Sequence, residues 1–207
     1  YNDKIYNKFL NKNLNKINFK ASEKIIVKKR FIDSYLGTKL FQLNTNQEEI
    51  LTDNFKKKFN NFFNKIDLKK YDAIVIFDYG HGLINTDIIK KLSKFRKKVY
   101  INCQSNSFNF GYNLFSKYKS AKTISMDETE FRLLAQDKFT KIEDLIKKNK
   151  KLFKNFQSTI ITLGKFGAYH ITKKNTNFIK SIISSTKDTT GCGDIFFSIY
   201  ILSECST

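Results

Sequence analysis

The chain has 207 residues, of which 41% are hydrophobic and 21 are phenylalanine, enough to build one domain with a core. Its 38 Lys+Arg against 19 Asp+Glu give a formal charge of +19, which attracts anions. Only Arg30, Arg96 and Arg132 are arginine, however, and the lysines are spread over helical stretches, which argues against nucleic acid as the main partner. Three cysteines, Cys103, Cys192 and Cys205, and two histidines, His81 and His170, lack both a disulfide framework and zinc-ligand spacing and point to a reducing cytoplasm. No apolar run approaches the roughly 20 residues that span a bilayer, and no signal peptide is recognisable.

In chain order, residues 1–15 have the spacing of a short amphipathic helix. Residues 24–28 and 39–43 read as two strands around a turn at Tyr35-Leu36-Gly37, a basic hairpin. A helix is expected over 47–65, with Asn46 as cap and Phe55, Phe59, Phe62 and Phe63 on its buried face. Residues 73–77 form a continuous apolar run, the mark of a strand covered on both faces. A helix over 86–94, strands at 99–102 and 123–125, and helices over 127–135 and 141–153 follow. Next come a strand at 159–163, a hairpin of 167–172 with 176–181, and a last helix after Asp194.

Strands alternating with helices imply a mostly parallel α/β sheet, and such sheets bind ligands beyond the carboxyl ends of their strands. The polar and glycine-rich stretches fall at those ends: 78–82, 102–106, 127–130, 164–167 and 191–194.

The last of these carries the most chemistry. In Asp188-Thr189-Thr190-Gly191-Cys192-Gly193-Asp194, two glycines flank one small residue where a helix begins. Glycine permits a sharp turn and a close approach. The unpaired N–H groups of a helix start, with the macrodipole behind them, suit a phosphate. Asp194 would repel that phosphate, so it reads as a general base for an attacking hydroxyl. Phosphoryl transfer to an alcohol is the reaction this pattern describes.

The same stretch resembles the Asp-Thr-x-Gly-Ala-Gly-Asp signature of the ribokinase-like (PfkB-type) carbohydrate kinases, with Cys192 in place of alanine. The segment Asp78-Tyr79-Gly80-His81-Gly82 is similar to the Ser-Asp-Tyr-Gly-Lys-Gly segment of the heptose-phosphate kinase branch, which implies a substrate-side place for Asp78. His81 stands where that branch has lysine. It either keeps a proton-linked contact to an anion or is a loop histidine. Asn102-Cys103-Gln104-Ser105-Asn106 with Gly111-Tyr112-Asn113 resembles a subgroup whose members often carry a fused or neighbouring nucleotidyltransferase. Asp127-Glu128-Thr129-Glu130 takes the place of the family's Asn-x-x-Glu motif. The resemblance implies that Asp127 and Glu130 help hold Mg²⁺, mainly through water, although acidic residues also suit a helix N-terminus. Thr162-Leu163-Gly164-Lys165-Phe166-Gly167 is similar to the Thr-x-Gly-x-x-Gly turn near the nucleotide phosphates, which assigns Thr162, Gly164 and Gly167 to ATP.

The resemblance implies a three-layer α/β/α ribokinase-like fold over 1–207, read as one domain fragment. Residues 24–45 would form a lid hairpin, through which a homodimer is expected, and 71–207 the nucleotide-binding core. Asp194 would be the base, and Gly191, Cys192 and Gly193 the anion hole. The substrates would be ATP and a sugar or sugar phosphate of the cell envelope, heptose-phosphate-like. A regulatory kinase-like module tied to a sugar nucleotidyltransferase is the alternative, and a basic nucleic-acid scaffold a further one. No Gly-Gly-x-x-x-Asn sugar-binding segment occurs, the chain starts without Met, and it stops 13 residues after Asp194. Both ends are therefore expected to be cut.

Overall fold

The computed structural model describes residues 17, 19, 26–35, 38–45, 51–105, 109–182 and 190–206. The expected helix over 1–15 lies outside them, as do Asn46, Leu36, Gly37, Asp188 and Thr189.

A hairpin comes first. β1 (Val27–Ile32) pairs antiparallel with β2 (Lys39–Thr45), and Phe31 stacks on Phe41 at 4.3 Å between centroids. Most of its apolar side chains are exposed, including Leu40, Phe41 and Leu43. α1 (Asp53–Lys65) starts at Thr52, whose hydroxyl accepts the Phe55 N–H at 3.2 Å, rather than at Asn46. Its phenylalanines serve two surfaces. Phe59 and Phe63 pack on the main core, whereas Phe55, Phe59 and Phe62 gather around Phe19.

The body is a six-stranded sheet in the order β3 (Ile74–Asp78), β4 (Val99–Cys103), β5 (Ala121–Asp127), β6 (Phe156–Thr162), β7 (Gly167–Thr172), β8 (Thr176–Lys180). β3 to β6 run parallel; β7 and β8 are antiparallel additions. The crossovers carry α2 (Thr86–Ser93) between β3 and β4, and α3 (Glu128–Ala135) with α4 (Ile142–Lys148) between β5 and β6. Among its described residues, the β4–β5 connection carries a 3-10 turn, Phe115–Lys117, and no α-helix. The single helix expected over 141–153 is broken at Asn149, whose side-chain amide donates to the Leu145 carbonyl at 2.9 Å. An asparagine that bonds the backbone in this way competes with the helical ladder, and a 3-10 turn (Lys150–Phe153) follows.

The side-chain alternation of the strands divides the core in two. Val99, Ile101 and Cys103 of β4 face a large cluster built with Ile88, Leu92, Phe131, Leu145 and Ile146. Tyr100 points the other way, into a smaller cluster with Ile160, Phe197 and Ile201. The last two belong to α5 (Cys192–Ser206), so helices cover both faces of the sheet. Phe197 is fully buried, edge-on to Phe77 with centroids 6.2 Å apart. Its neighbours Ile195 and Phe196 are exposed, so one residue of that apolar run anchors the helix. Removing a buried phenylalanine of this kind costs about 3–5 kcal/mol.

Candidate functional site

A cleft of about 600 Å³ opens at the carboxyl ends of β4, β5 and β6. Asn102, Gln104 and Ser105 come to it from β4, residues 125–130 from the β5–α3 junction, residues 162–165 from β6, and residues 191–194 from the start of α5. Parallel strands end together, so turns far apart in sequence share one rim.

Helix α5 begins two residues earlier than expected, at Cys192, which puts Cys192, Gly193 and Asp194 in its first turn. The first intrahelical bond runs from Ile195 N–H to the Gly191 carbonyl at 3.0 Å. As at any helix start, the N–H groups ahead of that bond have no partner within the helix itself. Gly191 has φ +77°, a left-handed conformation natural to glycine, and a Cβ added at Gly191 or Gly193 would meet open space. A helix start facing an open cavity offers N–H groups of the kind that anions bind.

The Asp194 carboxylate is held from two sides. Gln104 Nε2 donates to Oδ1 at 2.7 Å, and Tyr79 Oη donates to Oδ2 at 3.1 Å. Burial, reinforced by the Asp194 charge, pushes the Tyr79 phenol up to about 12, so it stays a donor at neutral pH.

At the β5–α3 junction, Asp127 and Glu130 form a capping box. Glu130 N–H donates to Asp127 Oδ1, and Asp127 N–H donates to Glu130 Oε2, both at 2.8 Å. Glu130 Oε1 accepts the Ser105 N–H at 2.7 Å. Both Glu130 oxygens thus serve backbone donors, and the residue is 8% exposed. Burial, aided by the Asp127 charge, raises its carboxyl to about 7, against the pull of the two N–H donors. Asp127 is exposed at the cleft. Glu128 is paired with Arg132 at 2.8 Å.

Thr162, whose hydroxyl lies 3.5 Å from the Met126 carbonyl, and Gly164 also line the cleft. Gly167 does not: the β8 backbone at Ile179 closes over its Cα, so close strand packing accounts for this glycine. Asp78, for which a substrate-side place is expected, does not line this cleft either. It is 4% exposed and lies beneath the cleft. There it accepts Tyr118 Oη at 2.7 Å and the Gly80 N–H at 3.1 Å, and it is ion-paired with Lys117. A buried carboxylate with these partners is a structural hub. The same burial, with the Asp78 charge, raises the thiol of Cys103 and the phenol of Tyr118. His81 is half-buried; burial and the Lys28 charge of β1 lower its pKa, and Asp78 opposes them.

Tyr79, Gln104 and Lys165 are the site residues that sequence reasoning left without a role. The first two lie in segments the motifs mark, but their convergence on Asp194 spans 115 and 90 residues. Lys165, the one lysine on the cleft wall among the described residues, sits inside the Gly164–Gly167 turn.

The sequence model of the pfkB family carbohydrate kinases matches residues 36–202. A curated relative, the bifunctional protein HldE of Koribacter versatilis, is 24% identical over 143 residues, 67% of this chain and 28% of that protein. Among solved structures, phosphofructokinase-2 from Escherichia coli in complex with fructose-6-phosphate superposes with a TM-score of 0.57 at 12% identity, over 80% of this chain and 55% of that one. Ribokinase from Giardia lamblia gives 0.53 at 17% identity, over 81% and 51%. The chain thus spans about half the length of the solved structures it matches, and less of the curated relative. These likenesses show a shared ribokinase fold. No helix among the described residues is long and apolar enough to cross a membrane.

Proposed function

The chain belongs to the pfkB family of carbohydrate kinases, and from that premise we propose that the protein carrying it transfers the γ-phosphoryl group of ATP to a hydroxyl of a sugar or sugar phosphate. The observation that carries this reading is the place of Asp194, in the first turn of α5 beside the Gly191–Gly193 cradle and at the mouth of the cleft. The sugar hydroxyl donates its proton to the Asp194 carboxylate while its oxygen forms a bond to the γ-phosphorus. The bridging bond to the β-phosphate breaks, and ADP leaves. The α5 N-terminal N–H groups and Lys165 face the charge on the transferring group.

Among the described residues, the cleft wall carries four carboxylates, Asp127, Glu128, Glu130 and Asp194, against one lysine, Lys165. A triphosphate enters such a wall with a compensating cation. The donors are hard oxygens, which suits Mg²⁺. Among the described residues no group of three or more His, Cys, Asp or Glu converges as a metal cage. The ion would therefore be held by Asp127, by nucleotide oxygens and by water, with Glu130 reached through water. Bound there, Mg²⁺ neutralises phosphate charge and orients the leaving group.

The acceptor we favour is a phosphorylated heptose or a related precursor of envelope sugars. Support comes from the Asp78–Gly82 segment and from similarity to a protein named bifunctional. That name also suits an attached nucleotidyltransferase. An isolated two-stranded hairpin is marginal in water, so β1–β2, with Leu40, Phe41 and Leu43 uncovered, fits a lid that docks on a second copy. The test is ATP turnover by the full-length protein over a panel of sugars and sugar phosphates, with Asp194→Asn as control. Sugar-dependent ADP release that vanishes in the variant is expected. ATP binding without turnover of any sugar returns the regulatory module.

A further inference from the structure

An aspartate in the exposed first turn of a helix is free to rotate about χ1, and a general base that swings is a poor one. Asp194 is held instead by donors from two other strand ends: Tyr79, just past β3, and Gln104, just past β4. The two donors engage different carboxylate oxygens, which sets the plane of the group. Each oxygen keeps a further lone-pair position for a substrate hydroxyl.

The supports are themselves built in. The Asn113 side-chain amide donates to the Asp78 carbonyl at 3.1 Å and to the Gln104 carbonyl at 2.9 Å, bridging the ends of β3 and β4. Gln104 N–H closes the same ring on the Asp78 carbonyl at 2.9 Å. The Asn109 amide donates to the carbonyls of Tyr79 and Gly80, both at 3.1 Å. Gly80 has φ +74°, and any Cβ there would run into Asn109 and Asn113. Both asparagines are buried, at 8% and 6% exposure. Two buried asparagines bonded to four backbone carbonyls at the ends of β3 and β4 signal a place held to tight tolerance.

We propose that Tyr79 and Gln104 are positioning residues for Asp194, and that the loop carrying Asn109 and Asn113 is the frame that fixes them. This rests on the reading of Asp194 as the catalytic base. It gives the Asn102–Ser105 and Gly111–Asn113 segments a function: they set the angle at which the base meets the acceptor hydroxyl. Chemistry of this kind is sensitive to placement, and a displacement of about 1 Å costs up to ~100-fold in rate.

The experiment compares Tyr79→Phe, Gln104→Ala and Asp194→Asn in the full-length protein, by steady-state kinetics and by ATP titration calorimetry. Each positioning variant is expected to lower kcat roughly tenfold to a hundredfold, with the ATP dissociation constant unchanged. Added to Asp194→Asn, each should cause no further loss, because each acts through that carboxylate. A second readout needs no turnover: the ¹⁹F resonance of 3-fluorotyrosine placed at position 79 should move in Asp194→Asn and stay in place in Cys205→Ser. Full kcat in both positioning variants, or a loss confined to the sugar KM, overturns the proposal while an inactive Asp194→Asn leaves the kinase reading standing. Full turnover by Asp194→Asn brings down the base assignment and the positioning role together.

Discussion

Glu130 Oε1 accepts the Ser105 backbone N–H at 2.7 Å and so ties the end of β4 to the start of α3. The clamp crosses the floor of the cleft, and its other oxygen closes the capping box on Asp127. Loss of these bonds in Glu130→Ala leaves the Ser105 and Asp127 N–H groups, part-buried in the wild type, without these acceptors. The expected cost is about 2–4 kcal/mol by urea denaturation, more than removal of an exposed helix cap alone.

The same residue gives a pH signature. Its carboxyl rises from 4.5 in the unfolded chain to about 7 in the folded one. Between those values the folded state binds the extra proton. Its contribution is therefore complete below pH 4.5 and is lost as pH rises through 7. In magnesium-free buffer, wild-type stability should carry a falling component across this window. Glu130→Gln, which does not titrate, should lack it; equal slopes in the two proteins would refute the assignment.

The buried Asp78 carboxylate is ion-paired with the part-exposed Lys117 and accepts the Tyr118 hydroxyl. Removing the buried carboxylate leaves the Tyr118 hydroxyl and the Gly80 N–H without their acceptor, so Asp78→Ala should lose about 1–3 kcal/mol. Replacing both, as Asp78→Asn with Lys117→Met, should recover part of that loss. The measurement is a double-mutant cycle in urea. A neutral Asp78→Ala would show that the pair is not structural.

Phe197 is the side chain that seats α5 on the sheet, and α5 carries Asp194. Phe197→Ala should cost about 3–5 kcal/mol. Phe196→Ala, on an exposed side chain, should cost under about 1 kcal/mol. Thermal melts of the two variants decide this.

Cys192 lies exposed in the cradle, whereas Cys103 is buried with its thiol pushed up. In a Cys205→Ser background, iodoacetamide should alkylate Cys192, and ATP with Mg²⁺ should slow the reaction. Intact-mass spectra follow both. Labelling indifferent to nucleotide would remove the phosphate from Gly191–Gly193.

How much of this was legible beforehand differs from element to element. The apolar run at 73–77, the glycine pair at 191 and 193 and the capping carboxylates at 127–130 are local patterns. Hydrophobic period and backbone freedom are properties of neighbouring residues, so the chain alone determined a mostly parallel α/β core with its glycine-rich turns at one rim. Boundaries were less legible. Asn149 ends α4 through a single side-chain bond to Leu145, and α5 starts at Cys192 rather than after Asp194.

The tertiary structure decided what the acidic and amide side chains do. Asp78 and Asp194 both sit in motifs, yet one is spent on Lys117 and Tyr118 beneath the cleft and the other faces it. Gln104 and Tyr79 acquire meaning only when β3, β4 and α5 end side by side. The reason is physical: a polar side chain's role depends on which groups desolvate it and bond to it, and those partners are brought together by strand order and packing across about a hundred residues of chain, beyond the reach of any local pattern.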